Sequence, residues 1–258
     1  MIEIKPIEEL RDCNGKIIIA GPCSAESESQ IFETALQLSN IGIKYFRAGI
    51  WKPRTRPSTF EGIGESGLMW LKQIKEMTGM KVTTEVAKPE HVEKALNAGV
   101  DILWIGARTT ASPFAMQEIA NSLKGTDTPV LVKNPINPDI ELWIGALERL
   151  SLAGIKRVAA IHRGFSTYGD TKYRNTPIWE IAAELHSMIP QLPILCDPSH
   201  IGGSRELILP ISQKAMNGIY SGLFIESHCN PDKALSDNKQ QITPVELSEI
   251  LKNLNINL

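Results

Sequence analysis

The stretch "ALNAGVDILWIGAR", residues 95–108, passes from helix spacing to strand spacing across one glycine. Ala95 and Leu96 continue the apolar face begun at Val92, at helical intervals. Gly99 then supplies the left-handed turn that a helix end favours. Ile102–Gly106 follows as a nearly unbroken apolar run, the pattern of a parallel strand buried on both faces. A charged residue, Arg108, stands just beyond it.

The same unit recurs. "LSNIGIKYFRAG" (38–49) turns at Gly42, "LSLAGIKRVAAIHRG" (150–164) at Gly154, and "AMNGIYSGLFIES" (215–227) at Gly218. Eight strands are expected along the chain: Lys16–Ala20, Ile43–Ala48, Lys81–Val86, Ile102–Gly106, Pro129–Lys133, Arg157–His162, Pro193–Asp197 and Gly222–Glu226. Between them lie amphipathic helices. "KPEHVEKALNAG" (88–99) has Pro89 in its first turn, and Ser27-x-x-Gln30 has the form of a capping box. Eight strand–helix units in 258 residues predict an α/β protein, a closed (β/α)8 TIM barrel, for which about 250 residues is typical. An open doubly wound sheet is the alternative. Residues 1–258 are read as one domain with a short N-terminal extension before Lys16.

Composition narrows the function classes. A net charge of −2 offers no general attraction for nucleic acid or an anionic membrane. Apolar runs are too short to span a bilayer, and the acidic start "MIEIKPIEEL" is no signal peptide. Four cysteines make no disulfide framework in a chain of this length, so a reducing cytoplasm is expected. No phosphate-binding or dinucleotide glycine motif occurs.

Reactive side chains gather at the carboxyl ends of the strands. In order they are Cys23; Arg47, with Lys52 and Arg54; Glu85; Arg108; Lys133; His162 and Arg163; Asp197 and His200; and Glu226. In a barrel these ends converge on the face where loops build an active site. Arg47, Lys52, Arg54, Arg108, Lys133 and Arg163 form a cationic floor that needs anions, and arginine forks suit phosphate and carboxylate oxygens. A substrate with several negative charges is expected. Cys23, His200, Glu226 and Asp237 make a mixed donor set for a divalent metal. The set has no compact spacing, and a lone cysteine is more often a small buried hydrophobe. His91 and His186 are read as surface helix residues, Cys196 as part of the barrel wall and His228 as a neighbour of the donors. Cys13 and Cys229 have no evident partner in the sequence.

The motifs "AGPCS" (20–24), "KPRT" (52–55), "IGAR" (105–108), "LVKNP" (131–135), "HRGFS" (162–166), "CDPSH" (196–200) and "ESHCNPDKALSD" (226–237) occur in this order. With them the chain closely resembles 3-deoxy-D-arabino-heptulosonate-7-phosphate (DAHP) synthases of the single-barrel branch near 3-deoxy-octulosonate-8-phosphate synthase. The resemblance spans nearly the whole chain. It implies condensation of phosphoenolpyruvate with erythrose 4-phosphate, the first step of the shikimate pathway. It implies Cys23, His200, Glu226 and Asp237 as ligands of a divalent metal, Mn²⁺ first, with Co²⁺, Zn²⁺ or Fe²⁺ as alternatives. Arg47, Lys52, Arg108, Lys133 and Arg163 are implied to grip phosphoenolpyruvate, and Arg54 and Thr55 the sugar phosphate. Asp197 is implied to hold sugar hydroxyls or the metal-bound water, and Glu85 to orient a water. Lys52, Asp197 and His200 are the expected catalytic residues.

Arg56 departs from the small polar residue expected there by resemblance. The octulosonate branch shows "KANRS" where this chain reads "KPRT", which favours the four-carbon sugar over arabinose 5-phosphate. A metal-dependent aldolase would need one phosphate site, and six cations argue for more. A homo-oligomer, a dimer or tetramer, is expected. "TPVELSEILKNLNINL" (243–258) reads as the eighth barrel helix, after which some relatives carry a chorismate mutase. Such a domain or partner is expected to be what confers regulation, and the barrel alone is expected to ignore aromatic amino acids.

Overall fold

Strands that are apolar on both faces leave no face for water, so a closed parallel sheet must carry helices outside and side chains within. The computed structural model describes residues 2–5, 7, 15–52, 59–169 and 171–258. In it β1 (Ile17–Gly21), β2 (Tyr45–Arg47), β3 (Lys81–Val86), β4 (Ile102–Ile105), β5 (Val130–Lys133), β6 (Val158–His162), β7 (Ile194–Cys196) and β8 (Gly222–Glu226) pair in sequence order, and β8 returns to β1. All eight expected strands are present, with no end displaced by more than two residues. The open-sheet alternative falls with the closing seam, which runs from Ile17↔Gly222 to Gly21↔Glu226. At Gly21, φ is +152° and a Cβ would lie 2.0 Å from the Arg47 carbonyl oxygen, so no side chain fits between β1 and β2.

The helices are α1 (Glu28–Asn40), α2 (Ser66–Thr78), α3 (Pro89–Asn97), α4 (Ala107–Thr110), α5 (Pro113–Ser122), α6 (Ile140–Leu152), α7 (Trp179–Met188), α8 (Pro198–Gly202), α9 (Ile208–Met216) and α10 (Pro244–Asn253). Short α4 and α8 directly follow β4 and β7, at the carboxyl-end face. Gly42, Gly99 and Gly154 take positive φ after α1, α3 and α6, as the repeated unit requires. Gly218, after α9, does not. Ser27 caps α1 by accepting from Gln30 N, but the Gln30 side chain turns to Glu26 N, so the capping box is only half made. The complete box is Thr243–Glu246, at the start of α10.

Two apolar shells result. The outer one fills the space between strands and helices and includes Cys196, as expected of the barrel wall. The inner one comprises Ile17, Ile19, Tyr45, Ile102, Trp104, Leu131, Ala159, Ile161, Leu195 and Phe224. Ile7 joins it at 2% exposure, which adds an apolar side chain from the N-terminal segment to the barrel interior. Among the described residues no helix is long and apolar enough to cross a membrane.

Candidate active site

Inward-facing residues alternate along each strand. Deep in the barrel they are apolar, apart from Thr83, and one pleat higher they become charged. Tyr45 gives way to Arg47, Thr83 to Glu85, Leu131 to Lys133, Leu195 to Asp197, and Phe224 to Glu226. The apolar plug closes the barrel below, and the charges lie on its upper surface. On β4 the matching place is Gly106, where a Cβ would fall 2.1 Å from Glu85 Oε1. The missing side chain is the space that the Glu85 carboxylate occupies.

A cavity opens above this layer. Lys52, Arg108, Lys133, Arg163 and Arg174 give it cationic walls, and Glu85, His200 and Asp237 add the remaining titratable groups. The buried charges are paired beneath it. Arg47 Nη2 lies 3.1 Å from Glu226 Oε1, with side-chain exposures of 1% and 0%. Its guanidinium also sits over the Phe224 ring at 4.2 Å, while its Nε and Nη1 are buried without a partner. Lys133 Nζ lies 3.0 Å from Asp197 Oδ2. His200 Nδ1 is 2.7 Å from the same oxygen, and Asp197 Oδ1 accepts from His200 N to cap α8. Asp197 is thus fully buried with both oxygens engaged. Its contacts within the chain are to Lys133 and His200. Arg163 is held by Asn175 Oδ1 at 2.7 Å, and its backbone N–H by Asn134 Oδ1 at 2.7 Å.

Three of the four expected metal donors meet as one group. The donor atoms of Cys23, Glu226 and Asp237 all lie within 4.8 Å of one another. His200 stands beside the group, with Nε2 3.7 Å from Glu226 Oε1. Cys23 Sγ is 3.3 Å from Asp237 Oδ2 and 3.1 Å from Ser236 Oγ. Lys52 Nζ donates to Cys23 O at 3.0 Å and lies 3.2 Å from Sγ. Buried thiol, carboxylates and imidazole at such range suit a divalent transition metal, so the residues fit the ion that the resemblance implies. Here Lys52 and Arg174 supply the positive charge around them.

Burial, and then Glu226, push the Cys23 thiol up to about 12. Burial raises the Glu226 carboxyl, but His200 and Arg47 outweigh it and leave a net lowering. Burial likewise opposes the charge on Asp237, yet His200, Arg174 and Lys52 hold it below the usual carboxylate range. Burial lowers His200 against the pull of Asp197, which favours the neutral ring. At Lys52 burial disfavours the ammonium, but Cys23, Glu85 and Glu226 together raise it.

Arg54 and Thr55, with Arg56 and Cys13, lie outside the described residues. His91 is no free surface residue: its ring stacks on Trp51, with centroids 4.0 Å apart and planes 5° off parallel. His162 points outward from β6, bonding the Tyr220 hydroxyl and Pro177 O. Sequence reasoning missed Arg174, Ser236, Gln240 and Gln241. All four sit in connections with no periodicity; Ser236 and Gln240 are near Asp237 along the chain, while barrel closure brings Gln241 to Cys23 and Arg174 to Asp237.

The fold and the site together define a class: a (β/α)8 barrel with its charged layer on the face where such barrels carry catalysis. The chain belongs to the DAHP synthetase I family, which matches residues 4–257. It is 39% identical over 231 residues to the Thermotoga maritima phospho-2-dehydro-3-deoxyheptonate aldolase. That match takes in 87% of this chain but spans 64% of the length of the relative. It is also 32% identical over 264 residues to the Desulfotalea psychrophila 2-dehydro-3-deoxyphosphooctonate aldolase, covering 92% of this chain and 88% of that protein. The crystal structure of the Thermotoga maritima aldolase, described as a DAHP synthase, superposes with a TM-score of 0.82 at 33% identity, covering 94% of this chain and 69% of that one.

Proposed function

We propose that this chain condenses phosphoenolpyruvate with D-erythrose 4-phosphate and water to give DAHP and inorganic phosphate, the first step of the shikimate pathway, with a divalent metal ion. The observation that carries the reading is the cationic cavity directly above a Cys23–Glu226–Asp237 donor group, in a chain of this family. In bond terms, C3 of phosphoenolpyruvate joins the aldehyde carbon, water adds at C2, and phosphate leaves by C–O cleavage. The metal, when bound, would supply Lewis-acid polarisation of the aldehyde and would be held by Cys23, Glu226 and Asp237 with His200 beside them.

The chain's own groups do the rest. Arg108, Lys133 and Arg163 bind the phosphate and carboxylate of phosphoenolpyruvate, with the unpartnered N–H groups of Arg47 below them. The same cations stabilise the departing phosphate. Lys52 holds a proton at Nζ on the cavity wall, next to the donors. Glu85, fixed against Gly106, orients the attacking water. Asp197 positions His200 and Lys133. Arg54 and Thr55 take the sugar phosphate on the strength of the "KPRT" motif. Free thiols at Cys23, Cys196 and Cys229 support a cytoplasmic setting. A homo-oligomer, and control through a chorismate mutase domain or partner, complete the reading.

Phosphate release from phosphoenolpyruvate, measured with each aldose phosphate before and after chelation, tests it. Strong preference for erythrose 4-phosphate and full dependence on restored metal are expected. Comparable turnover of arabinose 5-phosphate would place the chain with the octulosonate branch.

Metal affinity should also depend on pH. Ligation needs the thiolate, so binding displaces the Cys23 proton. Glu226 and Asp237 are held below the usual carboxylate range and burial lowers His200, so all three lean toward their ligating forms. Because the thiol lies far above neutrality, affinity for Co²⁺ is expected to rise about tenfold per pH unit between about pH 6 and 8. Direct titration at several pH values checks this, and a flat profile would remove Cys23 from the ligands.

A further inference from the structure

Two adjacent glutamines, Gln240 and Gln241, lie 1% and 0% exposed in the connection between β8 and α10. Gln241 braces the thiol side of the donor group. Its Oε1 accepts from Cys23 N at 2.9 Å, and its Nε2 donates to Ser236 O at 2.7 Å. Gln240 braces the carboxylate side. Its Nε2 donates to Glu226 Oε2 at 2.6 Å, and its Oε1 accepts from Arg174 Nη1. Arg174 Nη1 donates in turn to Asp237 Oδ1 at 2.9 Å. One chain of hydrogen bonds therefore runs from Glu226 through Gln240 and Arg174 to Asp237.

The chemistry of the middle position is restrictive. Between a carboxylate and a guanidinium the side chain must donate at one end and accept at the other, which a carboxamide does. Glutamate would set two carboxylates against each other, and lysine would set two cations together. Asp237 is itself in the left-handed region at φ +53°, a conformation that needs surrounding contacts to persist. The Gln240 N–H donates to Asp237 O at 3.2 Å, which closes the turn.

We propose that Gln240, seated between Arg174 and Glu226, is a positioning residue for the metal centre, and that it ties the β6–α7 connection carrying Arg174 to the donor group. It aims the Glu226 carboxylate and, through Arg174, that of Asp237 at a common point. The inference rests on the divalent-cation reading above.

The test uses the full chain stripped of metal and titrated with Co²⁺, read by Cys23 thiolate-to-Co²⁺ charge-transfer absorption and the visible ligand-field bands. Gln240→Leu is expected to raise the Co²⁺ Kd about 10–100-fold, the usual effect of removing a group that orients a ligand, and to change the visible bands. Arg174→Met should raise it in the same direction. The double variant should bind about as weakly as Gln240→Leu alone, because both sit in one relay. Absence of Co²⁺ binding by the wild-type chain would overturn the cation reading itself. Wild-type binding with an unchanged Kd and spectrum in Gln240→Leu would overturn the positioning role alone. Additive effects in the double variant would overturn the coupling to the β6–α7 connection. If Gln240→Leu does not fold, Arg174→Met carries the test, since that side chain is 46% exposed, and unchanged Co²⁺ affinity there overturns the relay.

Discussion

Cys23→Ala is expected to lower kcat/KM by on the order of 10³-fold, the several kcal/mol that a Lewis acid contributes to such a barrier. Mn²⁺, Co²⁺, Zn²⁺ or Fe²⁺ added at ordinary concentrations should not restore it. Cys23 is fully buried and supplies the sulfur of the donor group. Alanine fills less space, brings no donor atom and leaves Glu226 and Asp237 facing each other. Initial rates across a metal titration, wild type against variant, measure the effect. Wild-type enzyme should lose activity on chelation and regain it on reloading. A variant retaining most of its activity after the same treatment would mean that Cys23 serves packing and not ligation. Since bound thiolate is oxidisable, peroxide should inactivate the wild type, with thiol reductants rescuing early damage.

Arg47→Met should cost roughly 3–5 kcal/mol of stability, as expected when one partner of a buried ion pair is removed. That is a large share of the roughly 5–15 kcal/mol by which domains are stable. The variant leaves Glu226 at the barrel centre without its guanidinium, keeping only Gln240 and the approach of His200. Urea unfolding reads the loss as a lower midpoint. A second arm separates charge from packing: Arg47→Met combined with Glu226→Gln should be more stable than Arg47→Met alone, because the orphaned charge is gone. A midpoint unchanged in Arg47→Met would show that the pair contributes nothing net. Activity should fall as well, because the Nε and Nη1 groups proposed to face phosphoenolpyruvate are lost.

The barrel was legible in the sequence because its two signals are local. Strands such as Ile102–Ile105 are buried on both sides and read as continuous apolar runs, and Gly42, Gly99 and Gly154 mark the helix ends before them. The charged layer was legible for the same reason. A period of two carries Phe224 to Glu226 and Leu131 to Lys133 along one inward face, so the carboxyl-end residue of each strand could be named before the barrel was seen. The site's composition, thiol and carboxylates beside clustered cations, followed from those strand ends.

What the tertiary structure alone decided are the contacts that depend on closure. The barrel buries Asp197 between Lys133, 64 residues away, and the His200 ring. His91, read as a surface residue, is stacked on Trp51 from a different loop. Gln241 meets Cys23 across 218 residues of sequence, and Arg174 meets Asp237 across 63. Arg174, Asp237 and Gln241 lie on no periodic element, so nothing in their neighbours along the chain marks their direction. Their positions are set by where the connections after β6 and β8 land once β8 pairs with β1, and that pairing is a long-range event with no trace in local sequence.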